Sequence, residues 1–396
     1  MSTRGAAEFA DGAEGPSGLR ESEEFAFADD LGPAKVLRLY DPSVPLRAVL
    51  TVDNVAAGPA MGGVRMAPDV TSLECFRLAR AMTLKNAAAE LPHGGAKTVV
   101  FADPRMPQRD KERTLRALAR ALRDVHDYIA GPDMGTDERC MAWMHDERTR
   151  VGGLPRELGG IPLNAIGATG WGLAHAVAVA AERIGLRLEG ARIVVQGFGA
   201  VGRHTARFLA EMGAVLVAAS DTGGAIYDSK GLDVEKLGAL KAERRSVVDL
   251  VTGTKIRGDA LIDVECDVWV PAARPDVIRE DNARRLKTRI VAEGANIPCT
   301  RAAERMLHER RIVCLPDFIV NAGGVICAAM ELRGHDESTA MERIEHVLRR
   351  NVRLVLERAH ASAVPPREVA LRLAAERIRG AMQYRRPWRP ATDTDG

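Results

Sequence analysis

Lysine is scarce in this chain, with nine among 56 Lys+Arg. Two of them, Lys85 and Lys97, lie twelve residues apart in "LARAMTLKNAAAELPHGGAKTVVF". On a helix, Lys85 shares its face with Leu78, Ala81, Met82, Ala88 and Ala89, while Arg80 lies nearly opposite. Lys97 sits between Gly94-Gly95 and the apolar run "TVVF". A single such lysine reads as one that snorkels to the surface. Two in apolar surroundings suggest a cation site, and a buried amine titrates closer to neutrality, which suits proton chemistry. A third group, Asp133, stands in "GPDMGTDERCMAWMHDE" among Gly131, Pro132 and Gly135. Alone it reads as a turn former or cap. Beside a lysine pair and a dinucleotide motif, it becomes a candidate proton-shuttling carboxylate.

That motif is "ARIVVQGFGAVGRHTARFLAEMGAVLVAASD". A strand leads into Gly197, Phe198, Gly199, Ala200, Val201 and Gly202 at GxGxxG spacing, and a helix and a second strand follow. Gly197 permits the tight turn, Gly199 lets backbone approach a pyrophosphate, and Gly202 lets the helix pack closely. Asp221, ending the second strand, falls where a carboxylate binds ribose hydroxyls, which favours NAD without excluding NADP. It could equally start a turn at "TGG". No rival chemistry stands out. His93, His145 and His204 are isolated, and no Ser-His-Asp or HExxH arrangement occurs. The six cysteines form no CxxC pair and have no histidine at ligand spacing, so no metal site is expected and a reducing compartment fits.

The elements around these residues read as two units. From Ala34, "KVLRLY" and "LRAVLTV" are strand-like. The run "GPAMGGVRM" (58–66) reads as a glycine-rich loop with no strand-then-helix flanks. Residues 71–89 form a helix capped by Thr71 or Ser72, followed by the short strand "AKTVVF". Residues 110–127 and 136–147 are helical, and 152–160 is a candidate linker. From 191 to 330 short apolar strands alternate with helices, the signature of a parallel sheet covered on both faces. Residues 341–383 are helical with an apolar stripe. The expected fold is therefore α/β: an N-terminal substrate domain (26–160), a Rossmann-like dinucleotide domain (161–335) and C-terminal helices (336–385) packing back. Residues 1–25 and 386–396 read as tails.

A net charge of +2 offers no basic excess for nucleic acid. The most apolar long stretch, 312–330, is interrupted by Pro316, Asp317, Asn321 and two glycines, so no membrane span is expected. The N-terminus lacks a signal-peptide pattern, and a cytoplasmic location is expected.

With these residues in view, the sequence resembles the amino-acid dehydrogenase family that includes glutamate, leucine, phenylalanine and valine dehydrogenases. The resemblance covers about Ala34 to Leu332. It rests on "GPAMGGVRM", "MTLKNAAAELPHGGAK", "GPDMGTDERCMAWMHDE", "VQGFGAVG", "VAEGAN" and "LPDFIVNAGGV", in the family's order. It implies reversible oxidative deamination of an L-amino acid to a 2-oxo acid and ammonia, in a cleft between two domains. It also implies a homo-oligomer, commonly a hexamer or octamer.

By resemblance, Lys85 would bind the substrate α-carboxylate. Lys97 would be the catalytic lysine that activates water, and Asp133 would shuttle the amine proton. Asn321 would lie near substrate and nicotinamide, and Thr169 and Asn296 would hold the nicotinamide portion. The loop containing Met61 and Gly62 would floor the amino-acid pocket.

Two departures bear on the substrate. Glutamate dehydrogenases carry Lys where Met61 stands and Ser where Ala328 stands. A γ-carboxylate against these apolar residues would lose partners worth several kcal/mol, roughly. An aliphatic side chain would gain roughly 0.8 kcal/mol per buried CH₂. The sequence therefore leads to an apolar L-amino acid such as Leu, Val, Ile or Phe. "MGTDERCMAWMHDE", "SDTGGAIYDSKGLD" and "VAEGAN" look instead like glutamate dehydrogenase, which is the alternative. A catalytically silent sensor of nucleotide or amino acid is a third reading, opposed by the presence of all three catalytic candidates.

Overall fold

The computed structural model describes residues 27–384. Both expected tails, 1–25 and 386–396, lie outside them. The first half folds around a five-stranded sheet. In chain order its elements are β1 (Lys35–Asp41), β2 (Leu46–Asn54), β3 (Ala60–Ala67), α1 (Ser72–Ala88), β4 (Gly95–Phe101), α2 (Gln108–Leu122), β5 (Tyr128–Pro132) and α3 (Glu138–Asp146). The sheet order is β1-β2-β4-β3-β5, with β3 parallel to both its neighbours. Thr71 is the cap of α1, its side chain accepting from the Glu74 amide.

One expectation changes here. The stretch 58–66 is no loop; most of it is β3, in the interior of the sheet, and β3 leads into α1. Its glycines hide the hydrophobic alternation that marks a strand, and backbone pairing on both edges supplies what side chains do not. The helix expected to 127 likewise stops at Leu122, making way for β5.

Next come α4 (Leu163–Ile166), α5 (Ala168–Arg183), β6 (Arg192–Gln196), α6 (Ala200–Glu211), β7 (Val215–Asp221), β8 (Gly224–Tyr227), α7 (Val234–Ala242), β9 (Thr254–Ile256), β10 (Val268–Pro271), β11 (Ile290–Ala292), α8 (Arg301–Glu309) and β12 (Val313–Leu315). They build a seven-stranded sheet ordered β12-β11-β10-β6-β7-β8-β9. Its first five strands are parallel, in a Rossmann-like arrangement. This is the parallel sheet expected from sequence, extended at one edge by β8, which runs antiparallel to β7 after a turn at Thr222-Gly223 and antiparallel to β9.

The chain closes with α9 (Asp317–Val320), α10 (Gly323–Glu331), α11 (Glu337–Ser362) and α12 (Pro366–Met382). The single helical run expected over 341–383 is two helices. Ala363 takes a left-handed conformation and Pro365 precedes α12, so the helix cannot continue. These helices pack back on the first half. Asn351 of α11 and Arg377 of α12 both donate to the carbonyl of Ala88 at the end of α1.

The segment Leu163–Arg183 is long and apolar enough to cross a bilayer, but 67% of its most apolar window is buried inside the fold, as in a core helix. The glycine-rich 152–160 stretch is tied down rather than loose. The Glu331 carboxylate accepts from the amides of Gly153, Leu154 and Ile161.

Candidate active site

Strand alternation divides the first sheet by function. Met61 pairs in register with Gly95 and Ile129, so residues 61, 63 and 65, 95, 97 and 99, and 129 and 131 share a face. The even-numbered face carries Val64, Met66, Val100 and Tyr128. It packs on Leu115 and Leu118 of α2 and Met141 and Met144 of α3. The odd face lies under α1, close enough that a Cβ on Gly95 would collide with Thr83.

Lys97 and Asp133 meet on that odd face. Lys97 is buried, and its Nζ lies 2.5 Å from Asp133 Oδ2. Arg65 Nε donates to the same oxygen at 3.1 Å, while Arg65 Nη1 binds Glu74 at 2.6 Å. Burial opposes ionisation of Asp133, but Lys97 and Arg65 outweigh it and hold the carboxyl at about 2. Thr136 fixes the turn, donating to Val64 O and accepting from the Asp133 amide. The role of Gly63 is steric. A Cβ there would sit 2.7 Å from Asp133 Cβ. No sequence motif singles out Arg65; its two-residue steps from Met61 and Gly63 are the signal that puts it on their strand face.

Lys85, in the last turn of α1, faces the second sheet. Its Nζ donates to Asn296 Oδ1 at 3.3 Å. Burial lowers its amine to about 8, with Asp317 opposing the shift. Asn321 follows α9 and is buried. Its amide nitrogen donates to Gly294 O and Ala295 O at 3.3 Å and to Asn296 Oδ1 at 3.1 Å. Asn321 Oδ1 is buried without a partner, an acceptor open to a ligand donor. Thr169 stands beside the same corner. Gly323 and Gly324 let α10 approach it, and a Cβ on Gly324 would lie 3.2 Å from Thr169 Oγ1.

The dinucleotide loop fits a pyrophosphate. Gly197 has φ 91°, a Cβ on Gly202 would strike Gly197 O, and a Cβ on Gly199 would meet nothing within 4 Å. Thus Gly199 faces open space. Behind it the first turn of α6, from Ala200 and Val201, has no side-chain cap. Phe198 is buried in the core beneath this loop. Asp221 is already engaged. Its carboxylate accepts from Lys241 (2.6 Å), Ser246 Oγ (2.7 Å) and the amides of Gly223 and Val247.

Met61 and Ala328 belong to one apolar cluster with Ile129, Ile161 and Ile326. Met61 is 4% exposed, and Ala328, on α10, is half-buried.

An open glycine turn at an uncapped helix start, in one molecule with a close lysine–carboxylate pair whose neighbour Lys85 reaches Asn296 of the second half, points to a dinucleotide-dependent oxidoreductase. Comparison with known proteins narrows this. The Glu/Leu/Phe/Val dehydrogenase dimerisation-domain model matches residues 42–150, and the Glutamate/Leucine/Phenylalanine/Valine dehydrogenase model matches 159–386. The chain belongs to this family and is an NAD(P)-dependent amino-acid dehydrogenase.

It is 38% identical over 357 residues to the NADP(+)-dependent glutamate dehydrogenase of Pyrobaculum calidifontis, covering 84% of this chain and 85% of that one. It is 36% identical over 352 residues to the NAD-specific glutamate dehydrogenase of Staphylococcus aureus, covering 84% of each. Among solved structures, the hetero-hexameric glutamate dehydrogenase of Thermus thermophilus in a Leu-bound form superposes with a TM-score of 0.82 at 31% identity. That match covers 90% of this chain and 91% of the other.

Proposed function

We propose that this chain catalyses reversible oxidative deamination of an L-amino acid, with L-glutamate as the substrate that the relatives' names favour. The short Lys97–Asp133 contact, on a sheet face that also receives Lys85 from α1, carries the reaction assignment. In this reading Lys85 pairs with the substrate α-carboxylate and so fixes Cα. Asp133, ionised near neutrality, accepts a proton from the substrate amine, and the contact with Lys97 gives that proton a path. Lys97 orients the water that attacks the imine carbon and stabilises the oxygen that becomes the oxo group. Asn321, Asn296 and Thr169 hold the nicotinamide end, and the 197–202 loop with the start of α6 holds the pyrophosphate. When bound, the nicotinamide accepts the hydride from Cα.

A second substrate reading rests on one observation. Met61 and Ala328 lie in an apolar cluster that offers a second carboxylate no partner, which supports an apolar amino acid. This was the first expectation from sequence, and the names of the relatives put it second. A panel of glutamate, leucine, valine and phenylalanine, assayed with NAD and NADP, separates the two. Turnover of glutamate alone supports the primary reading; turnover of the apolar substrates without glutamate overturns it.

We also place the boundary between substrate and cofactor domains in the 152–160 segment, and we propose an oligomer, with a hexamer favoured by the Thermus enzyme's architecture. Edge strand β1, which exposes Val36 and Tyr40, supports association.

A further inference from the structure

Arg367, near the start of α12, sits among three carboxylates. Its guanidinium lies 2.6 Å from Glu293, 2.5 Å from Glu304 and 2.9 Å from Asp317. All three acids are buried. Glu293 and Asp317 close the two ends of one loop. Glu293 opens it after β11, and its Oε2 also accepts from the Asp317 amide at 3.1 Å. Asp317 Oδ2 accepts from the Ile297 amide at 2.8 Å, holding Ile297 at φ 51°. Between these ties lie Gly294, Ala295 and Asn296, the three residues that bind the Asn321 side chain. Cys299 and Cys314 lie close enough to Glu293 for the three to hold a metal ion, yet Arg367 is the cation in contact with that carboxylate.

The far end of α12 rests on α1. Arg377 donates to Ala87 O at 3.3 Å and Ala88 O at 2.6 Å, and pairs with Glu90 at 2.7 Å. One helix thus joins the loop that carries Asn296 to the helix that carries Lys85. The 3.3 Å contact between those two side chains links the two halves of the molecule.

We propose that Arg367 is a positioning residue for the dehydrogenase reaction: by gathering Glu293 and Asp317 it holds the 293–297 loop so that Asn296 meets Lys85 and Asn321. The proposal rests on the reading that Lys85 and Asn296 flank the reacting groups. Its test compares Arg367→Lys, Arg367→Gln, Asn296→Ala and the Arg367→Lys/Asn296→Ala double variant, by thermal melting and by separate kcat and KM values for cofactor and amino acid. Arg367→Lys should stay folded and lose about tenfold or more in kcat/KM for the cofactor, because misplacement of a positioning group is costly. The double variant should then be no worse than Asn296→Ala alone, since both act through one side chain.

Glu304→Gln touches the cluster but not the loop, and should lower the melting temperature with kinetics unchanged. Kinetics within about twofold of wild type in folded Arg367 variants, or losses that multiply in the double variant, would overturn the proposal. An unaffected Asn296→Ala enzyme would instead overturn the cleft reading beneath it. If neither Arg367 variant folds, Asp317→Ala removes the acceptor of the Ile297 amide and releases that end of the loop, and the same cofactor-specific loss is required of it.

Discussion

Replacing Lys85 with arginine keeps a cation beside Asn296 and removes its titration from the accessible pH range. In the native fold burial takes the Lys85 amine from 10.5 to about 8, with Asp317 and Asp133 raising it and Lys97 lowering it. That shift corresponds to about 3 kcal/mol against the charged form, and to about 2 kcal/mol once its partial exposure is discounted. Below about pH 8 the free enzyme presents an ammonium to a substrate carboxylate; above it that partner is lost. A bound carboxylate favours the charged amine, so the complex titrates at higher pH.

The assay is the Ki of glutarate, a competitor with no amine to titrate. For the wild type, Ki should rise about tenfold per pH unit above about pH 8, while kcat at saturating substrate stays flatter. For Lys85→Arg the Ki should be flat over the same range. Stability follows the proton balance. The unfolded chain keeps this proton to about 10.5 and the native state only to about 8, so Lys85 lets stability rise with pH across that window. A wild-type Ki that is flat from about pH 6 to 10, or the same limb in the arginine variant, would refute the placement of Lys85 at the carboxylate.

Three further outcomes are expected. Asp133→Asn should lower kcat by about a hundredfold or more. Since its carboxyl lies at about 2 against an ordinary 3.8, it contributes about 2 kcal/mol above pH 3.8 that fades as pH falls towards 2, so urea unfolding of wild type and variant should converge in acid. Gly199→Val places a side chain in open space over the start of α6. It should weaken cofactor binding about tenfold or more, with melting unchanged, as measured by fluorescence titration. Met61→Lys with Ala328→Ser supplies partners for a second carboxylate, and should raise kcat/KM for glutamate relative to leucine by about ten- to a hundredfold.

The dinucleotide half was largely legible in sequence because strand, glycine turn and helix follow one another within thirty residues, each with its own period. Lys85, Lys97 and Asp133 were legible as residue types out of place in apolar or glycine-rich surroundings. The strand character of 60–67 was not, because Gly62 and Gly63 erase the alternation that marks a strand. Arg65 was missed with it. The four contacts of Asp221 were hidden because Lys241 and Ser246 are twenty or more residues away. Arg367 is farther still from Glu293, and no local pattern links an arginine at a helix start to a loop on another sheet.

In the proposed reaction Lys97, with Asp133 beside it, performs amino-acid deamination. The most direct measurement is the initial rate of NAD(P)H formation by wild type and Lys97→Ala with saturating L-glutamate and with the apolar panel. Amino-acid-dependent reduction by the wild type, falling about a thousandfold in the folded variant while cofactor binding persists, is the expected result. Equal rates in the two proteins would contradict the account.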